Sequence, residues 1–195
     1  MRTALLVGFA YLCGSVPWGV VWGRTAGVDI RRAGSGNIGA TNVARIAGAR
    51  PALLTLLADV AKGLVPTLLA RFLLSDAWLV AAVGLTAFFG HIFSVFLRFS
   101  GGKGVATGSG VFLSLAPAPL AVCAAIFVAV GWSTGYVSLA SVTASGALPV
   151  AVALLGYRGP TLAAAVVISA VIIIRHRDNL VRLYNGTEPK FRVRQ

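Results

Sequence analysis

Five stretches of this chain, roughly 4–23, 52–74, 77–97, 136–155 and 160–174, consist almost wholly of apolar and small residues. About 20 such residues in a helix cross the ~30 Å hydrocarbon core of a bilayer, and nothing else in the sequence constrains the fold as strongly. The rest of the composition agrees. Only 11% of residues are charged, 57% are Ala, Val, Ile, Leu, Met, Phe, Trp, Tyr or Cys, and the mean hydropathy is +0.87. Soluble domains carry about 25% charged residues, so a water-soluble globule is excluded. The charge is lopsided, 17 Lys and Arg against 5 Asp and Glu, a formal +12. A basic excess of this size first suggests nucleic acid, but these residues occupy the gaps between apolar runs, as in a multi-pass membrane protein. No nucleic-acid partner is expected. Cys13 and Cys123 both lie inside apolar runs, so neither a disulfide framework nor a metal cluster is expected. Met1-Arg2-Thr3 opens directly into a run too long and too glycine-rich for a cleavable signal peptide.

Charge parity orders the crossings. Arg24, Arg31, Arg32, Arg45 and Arg50 lie in one gap, and Arg98 and Lys103 in another. Arg175, Arg177, Arg182, Lys190, Arg192 and Arg194 lie in the tail. By the positive-inside rule all three segments are cytoplasmic. The stretch 105–132 is broken by Pro117 and Pro119. Crossing once would put the basic tail outside, whereas two short helices, 105–117 and 119–132, keep it inside. The sequence therefore predicts an all-α integral membrane protein of seven transmembrane helices, N-terminus outside and C-terminus cytoplasmic. About 13 residues cover only ~20 Å, so one or both short helices are expected to be half-length and shielded by neighbours. Trp22 falls at the edge of the first cytoplasmic segment, and Trp78 and Trp132 are placed at outer ends, as interfacial belts.

The cytoplasmic segments carry the chemistry. Residues 33–45 read A-G-S-G-N-I-G-A-T-N-V-A-R. Glycines at 34, 36 and 39 permit positive φ and let backbone amides cradle an anion. Ser35, Asn37, Thr41 and Asn42 add short hydrogen-bonding groups, and Arg45 a bidentate phosphate partner. The bland alternative is a glycine turn before a capped interfacial helix. Residues 100–107 read S-G-G-K-G-V-A-T. The GxxxxGK spacing of a Walker A loop is missing. Lys103 among Gly101, Gly102 and Gly104 still combines a point charge, free amides and a helix N-terminus, with Thr107 one turn on. Taken alone it also reads as a lysine at a membrane edge. In the tail, His176, Asn179 and Arg182 recur at i, i+3 and i+6, which would put His176 and Asn179 on one helix face.

Inside the runs, Asp59 and Lys62 stand three apart, and ionisable groups there usually pair or serve function; a mutual ion pair is expected. His91, near the inner end of its helix, also reads as a packed histidine. Thr134, Ser138, Ser141 and Ser145 form a small polar stripe that either glues helices together or lines a substrate cleft; Ser141 is its candidate substrate contact.

Together the motifs S-G-N-x-G-A-T-N-x-x-R at 35–45, G-G-K-G-V-A-T at 101–107 and H-x-x-N-L-x-R-L-x-x-G-x-E at 176–188 resemble the bacterial membrane glycerol-3-phosphate acyltransferases that use acyl phosphate. The fragments at 11–17, 59–63 and 90–93 support the likeness, which covers essentially the whole chain. Leu180 replaces the usual isoleucine, and Ser94 stands where proline often follows G-H-x-F.

The resemblance implies a cell-membrane enzyme of seven helices that transfers an acyl chain to the 1-hydroxyl of glycerol 3-phosphate, with its site toward the cytoplasm. The products would be lysophosphatidic acid and phosphate. A long-chain acyl phosphate, delivered by a soluble phosphate acyltransferase, would be the donor, with membrane lipid around it and no cofactor or metal. Lys103, Arg45, His176 and Asn179 would carry catalysis. Ser35, Gly36, Asn37, Gly39, Thr41, Asn42, Gly101, Gly102, Gly104, Thr107, Ser141, Arg182 and Glu188 would bind substrate. No H-x-x-x-x-D pair exists, since Phe96 follows His91 by five and Val181 follows His176 by five. The proton acceptor is then His176 or the phosphate of glycerol 3-phosphate, and the resemblance leans toward the phosphate. Two rival classes are a permease for small organic phosphates, which should show internal repeats that are absent here, and a structural membrane subunit, which has no use for these motifs.

Overall fold

A computed structural model describes residues 1–191, and Arg192 and Arg194 of the basic tail lie outside the described residues. Every regular element among the described residues is helical: α1 (Arg2–Ser15), α2 (Trp18–Thr25), α3 (Ala40–Ala47), α4 (Ala49–Leu73), α5 (Ala77–Ile92), a 3-10 turn (Val95–Leu97), α6 (Val105–Leu115), α7 (Pro117–Thr134), α8 (Val137–Leu154), α9 (Gly159–Arg175) and α10 (Arg177–Tyr184). Five segments are long and apolar enough to cross a bilayer: Arg2–Thr25, Ala49–Leu73, Ala77–Leu97, Pro117–Thr134 and Val137–Leu154. α9 and α10 together make a sixth, bent by 53°, while α6 is shorter. Its 11 residues span about 16 Å. It packs against α4, α5, α7 and α9, so protein rather than lipid surrounds it.

The first apolar run does not form one helix. Pro17 has no amide hydrogen and ends α1 at Ser15, and α2 restarts at Trp18. The end of the third run also departs from a single helix, because α5 stops at Ile92. The second break falls at Ala116, so both Pro117 and Pro119 sit in the first turn of α7, where a missing amide costs nothing. Asp76 caps α5, its carboxylate accepting the amides of Trp78 and Leu79 at 2.7 and 3.3 Å.

The helices approach through small residues. An added Cβ on Gly14 would lie 2.0 Å from the Ala87 carbonyl, and one on Gly110 would lie 2.0 Å from that of Val60. Such backbone-to-backbone contact substitutes for the hydrophobic drive that lipid removes. Phe88, Phe112, Ile92 and Ile168 fill the main core, where α5, α6 and α9 meet. α7 buries only Pro119 and Cys123, so it is the most lipid-exposed helix.

The tail folds back on this bundle. The Phe191 amide donates to the Gly135 carbonyl at 2.8 Å, and the Lys190 ammonium lies 5.6 Å from the centre of the Tyr136 ring. The α7–α8 turn therefore sits at the end of the bundle that carries the tail. Trp132, expected at the outer end, is corrected to that end.

Candidate active site

The loop before α3 is built around one side chain. Asn42 is 2% exposed. Its Oδ1 accepts the Ser35 amide at 3.0 Å, and its Nδ2 lies within 2.9–3.3 Å of the carbonyls of Asn37, Ala33 and Ile30. The Asn37 Oδ1 takes the Gly39 amide at 2.8 Å, and the Gly36 amide donates to Ala33. Gly34 and Gly36 adopt positive φ, 60° and 68°, whereas Gly39 is extended. The amides of Ser35, Gly36 and Gly39 are thus satisfied inside the loop, and Asn42 shapes the loop rather than facing its contents.

The Lys103 segment is spent in the same way. The amides of Gly101 and Gly102 donate to the carbonyls of Ile92 and His91, at 3.0 and 3.1 Å. Arg175 holds the opposite edge, its Nη2 3.1 Å from the Gly101 carbonyl and its Nε 3.3 Å from that of Gly102. Gly104, at φ 89°, turns the chain into α6. With both edges fastened, Lys103 is the group the segment presents.

These two segments and α10 enclose a cavity of about 410 Å³. Ser35, Gly36, Asn37, Gly101, Lys103, Asn179 and Arg182 line it, as do Arg31, Ser100, Arg175, Arg177 and Asp178. Five cations against one carboxylate make it an anion pocket. Lys103 donates to the Asn179 Oδ1. The Asn179 Nδ2 donates to the Glu188 Oε1 at 2.7 Å, and the Arg182 Nε to its Oε2 at 2.8 Å. Glu188 is 7% exposed. Burial alone would raise its pKa, but the nearby Ser138 hydroxyl, donation from Asn179 and Arg182, and the Arg182 charge prevail and hold it low.

Burial also sets the cations. It lowers Lys103 to about 8, with Arg182 and Arg175 pushing the same way and Glu188 and Asp178 opposing. Arg45 is lowered by burial, opposed by Glu188 and aided by Arg182. Its Nη2 donates to the Pro189 carbonyl at 3.1 Å, while its buried Nε has no partner among the described residues. An orphan guanidinium N–H costs free energy unless an anion meets it. Arg45 is not among the residues lining the cavity, and its contact with Pro189 places its guanidinium beside the Glu188 end of the site.

Other expected residues fall elsewhere. His176 is the hinge between α9 and α10, the cap residue of both, and its carbonyl accepts the Leu180 amide at 2.9 Å in the first turn of α10. It is 4% exposed, with its Nδ1 2.8 Å from the Ile172 carbonyl. That contact assigns the hydrogen to Nδ1 and leaves Nε2 as an acceptor. Burial lowers its pKa to about 4; the Ile172 carbonyl opposes this, Lys103 reinforces it and Glu188 opposes it. Thr41 sits half-buried in the first turn of α3, outside the cavity lining. Thr107 is wholly buried in α6, its carbonyl against Gly63 of α4. The Ser141 hydroxyl donates to the Val137 carbonyl at 2.8 Å within its own helix and lies outside the cavity lining. Sequence reasoning passed over Arg31, Arg175 and Arg177 as ligands because positive-inside counting had already explained them.

A bundle of apolar helices capped at one end by a cationic pocket defines the class: a polytopic helical membrane protein with an arginine-rich cavity at one end. Residues 4–186 match the family model described as glycerol-3-phosphate acyltransferase. The chain belongs to the glycerol-3-phosphate acyltransferase family. It is 50% identical over 189 residues to the glycerol-3-phosphate acyltransferase of Geotalea daltonii, covering 96% of each chain. That of Geobacter sulfurreducens is 48% identical over 194 residues, 99% of this chain and 100% of the relative. The fold matches the crystal structure of PlsY (YgiH), an integral membrane glycerol 3-phosphate acyltransferase, in its glycerol 3-phosphate form. The TM-score is 0.95 at 40% identity, over 98% of this chain and 96% of that one. The lysophosphatidic acid form of that protein gives 0.92 at 39% identity, again over 98% and 96%.

Proposed function

We propose that the chain transfers a long acyl group from acyl phosphate to the 1-hydroxyl of sn-glycerol 3-phosphate, giving 1-acyl-glycerol 3-phosphate and inorganic phosphate. The observation that carries this reading is the Lys103–Asn179–Glu188–Arg182 chain within a pocket rich in arginine, at one end of an apolar bundle. Both substrates are phosphates and one carries a lipid tail, so the reaction needs cations beside hydrocarbon. The 1-hydroxyl oxygen bonds to the acyl carbonyl carbon, and the bond from that carbon to the phosphate oxygen breaks. Lys103, Arg182 and Arg45 stabilise the charge of bound and departing phosphate, and Ser35, Asn37 and Asn179 orient the two substrates.

The hydroxyl proton passes to the phosphate of glycerol 3-phosphate. That dianion titrates near pH 6, whereas His176 titrates near 4. Two units make the imidazole the poorer acceptor by roughly 3 kcal/mol. His176 then serves to hold the α9–α10 hinge, and with it the placement of Asn179 and Arg182 on α10. The mixed anhydride is already activated, so no dyad is needed to expel its leaving group.

Seven crossings are assigned, Arg2–Thr25 and then α4 to α9, with the N-terminus outside and the pocket cytoplasmic. Tail residues meet both Lys103 and Gly135, which supports an even number of crossings between them. A soluble phosphate acyltransferase would deliver the donor at that face. The deciding experiment uses labelled glycerol 3-phosphate with the purified protein in lipid vesicles. Palmitoyl phosphate should yield lipid-extractable label and palmitoyl-CoA should not. Equal turnover with the CoA ester refutes the donor assignment, and label carried across the vesicle unchanged refutes the enzyme.

A further inference from the structure

Beneath the pocket lies a second polar group of residues that the acyl transfer above does not use. Asp59 and Lys62 of α4 form an ion pair of 2.9 Å, and the His91 Nδ1 of α5 lies 3.9 Å from the same Asp59 oxygen. All three are buried, at 2–3% exposure. Around them the helix breaks converge. The Lys62 ammonium donates to the Val16 carbonyl at 3.0 Å, and the Ser94 hydroxyl to that of Ser15 at 2.5 Å, both carbonyls lying at the interruption before Pro17.

His91 connects this group to the Lys103 segment twice. Its carbonyl accepts the Gly102 amide at 3.1 Å. The Nε2 edge of its ring abuts Gly102, where an added Cβ would fall 2.2, 2.8 and 3.3 Å from Nε2, Cε1 and Cδ2. Those three ring atoms are the nearest obstacles to a side chain at position 102. Buried ion pairs are poor stabilisers, since apolar groups of equal volume often do as well or better. Charges within a membrane bundle are costlier still. Packing alone therefore gives little reason for Asp59, Lys62 and His91 to be there.

We propose that Asp59, Lys62 and His91 form a positioning centre that fixes the His91 ring and, through it, the height and direction of the Gly101–Gly104 segment and its Lys103 ammonium. The ion pair anchors α4 to the α1–α2 break. The anchored carboxylate sets the ring, and the ring supports the glycine on which Lys103 turns. None of the three touches substrate. The proposal rests on Lys103 serving the anion pocket.

Two measurements test it. The first does not need catalysis: amine labelling of Lys103 in the whole protein in nanodiscs, followed by mass spectrometry across pH. Its midpoint should lie near 8 in the wild type and rise toward 10.5 in His91→Ala and in Asp59→Asn, as the loosened segment hydrates the ammonium. The second is a steric exchange. Gly102→Ala alone should cost kcat/KM for glycerol 3-phosphate heavily. Adding His91→Ala removes the obstructing ring and should restore about tenfold over Gly102→Ala. An unmoved labelling midpoint in both variants overturns the proposal, as does a double variant whose losses simply multiply. A wild-type protein that makes no acylated product refutes the proposed function, while the labelling still judges the positioning centre.

Discussion

Lys103 offers the sharpest check on the pocket, because its ionisation should be visible in the rate. With a pKa near 8 it is about 90% charged at pH 7 and about 10% at pH 9. If the ammonium must be present when glycerol 3-phosphate arrives, kcat/KM should fall about tenfold between those pH values. The sign follows from burial, which favours the neutral amine of the empty pocket. A bound phosphate reverses this, since an opposite charge at contact distance raises an amine pKa by about 1–3 units. So kcat, which reports the loaded enzyme, should stay nearly flat to pH 9. Lys103→Arg replaces the group by one that stays charged throughout. Its plateau should be much lower, because a planar fork does not fit the place of a compact ammonium between glycines, and its alkaline limb should vanish. Initial rates with labelled glycerol 3-phosphate at constant ionic strength, corrected for spontaneous hydrolysis of the acyl phosphate, give both profiles. An unchanged alkaline limb in Lys103→Arg, or a flat wild-type kcat/KM through pH 9.5, would refute the reasoning.

Replacing His176 by Ala should raise KM for glycerol 3-phosphate more than it lowers kcat; a large kcat loss at constant KM would instead make the imidazole the base. Asn42→Ala strands three backbone groups, the Ser35 amide and the Ile30 and Asn37 carbonyls, at about 1–3 kcal/mol each where they stay buried. It should lower the melting temperature in detergent and raise KM together, and an unaltered melting curve contradicts the loop-organising role. Cysteines at 40, 103, 132 and 185, in a background without Cys13 and Cys123, should react with impermeant thiol reagents from the cytoplasmic side only, and labelling of 132 or 185 from outside breaks the seven-crossing assignment.

Much of the site was legible because its signals are local. Glycines framing Lys103 and the H-x-x-N-x-x-R spacing drew attention to Lys103, Asn179 and Arg182 at once, and all three line the cavity or its inner wall. Arg175 was hidden by its own plausibility as a topogenic charge. The sequence stripe also does not show that the Ser141 hydroxyl is spent on the Val137 carbonyl of its own helix. Asn42 looked like a ligand because a carboxamide beside glycines serves equally well to bind an anion or to satisfy a loop.

From the sequence alone came the membrane, the helices, the sidedness expected of the basic segments and the types of residue gathered at one face. Those properties follow from hydropathy and charge, which are carried residue by residue and need no knowledge of neighbours. Tertiary structure decided where each hydrogen bond goes. The amides of Ser35, Gly39, Gly101 and Gly102 are taken by Asn42, Asn37, Ile92 and His91. His176 is driven to the neutral form by burial. Asp59, Lys62 and His91 meet across two helices, far apart in the chain, beneath the loop that carries Lys103. A donor or acceptor in a sequence advertises only a capacity. Which partner uses it depends on which distant backbone the fold brings within about 3 Å, and that distance exists only once the helices have packed.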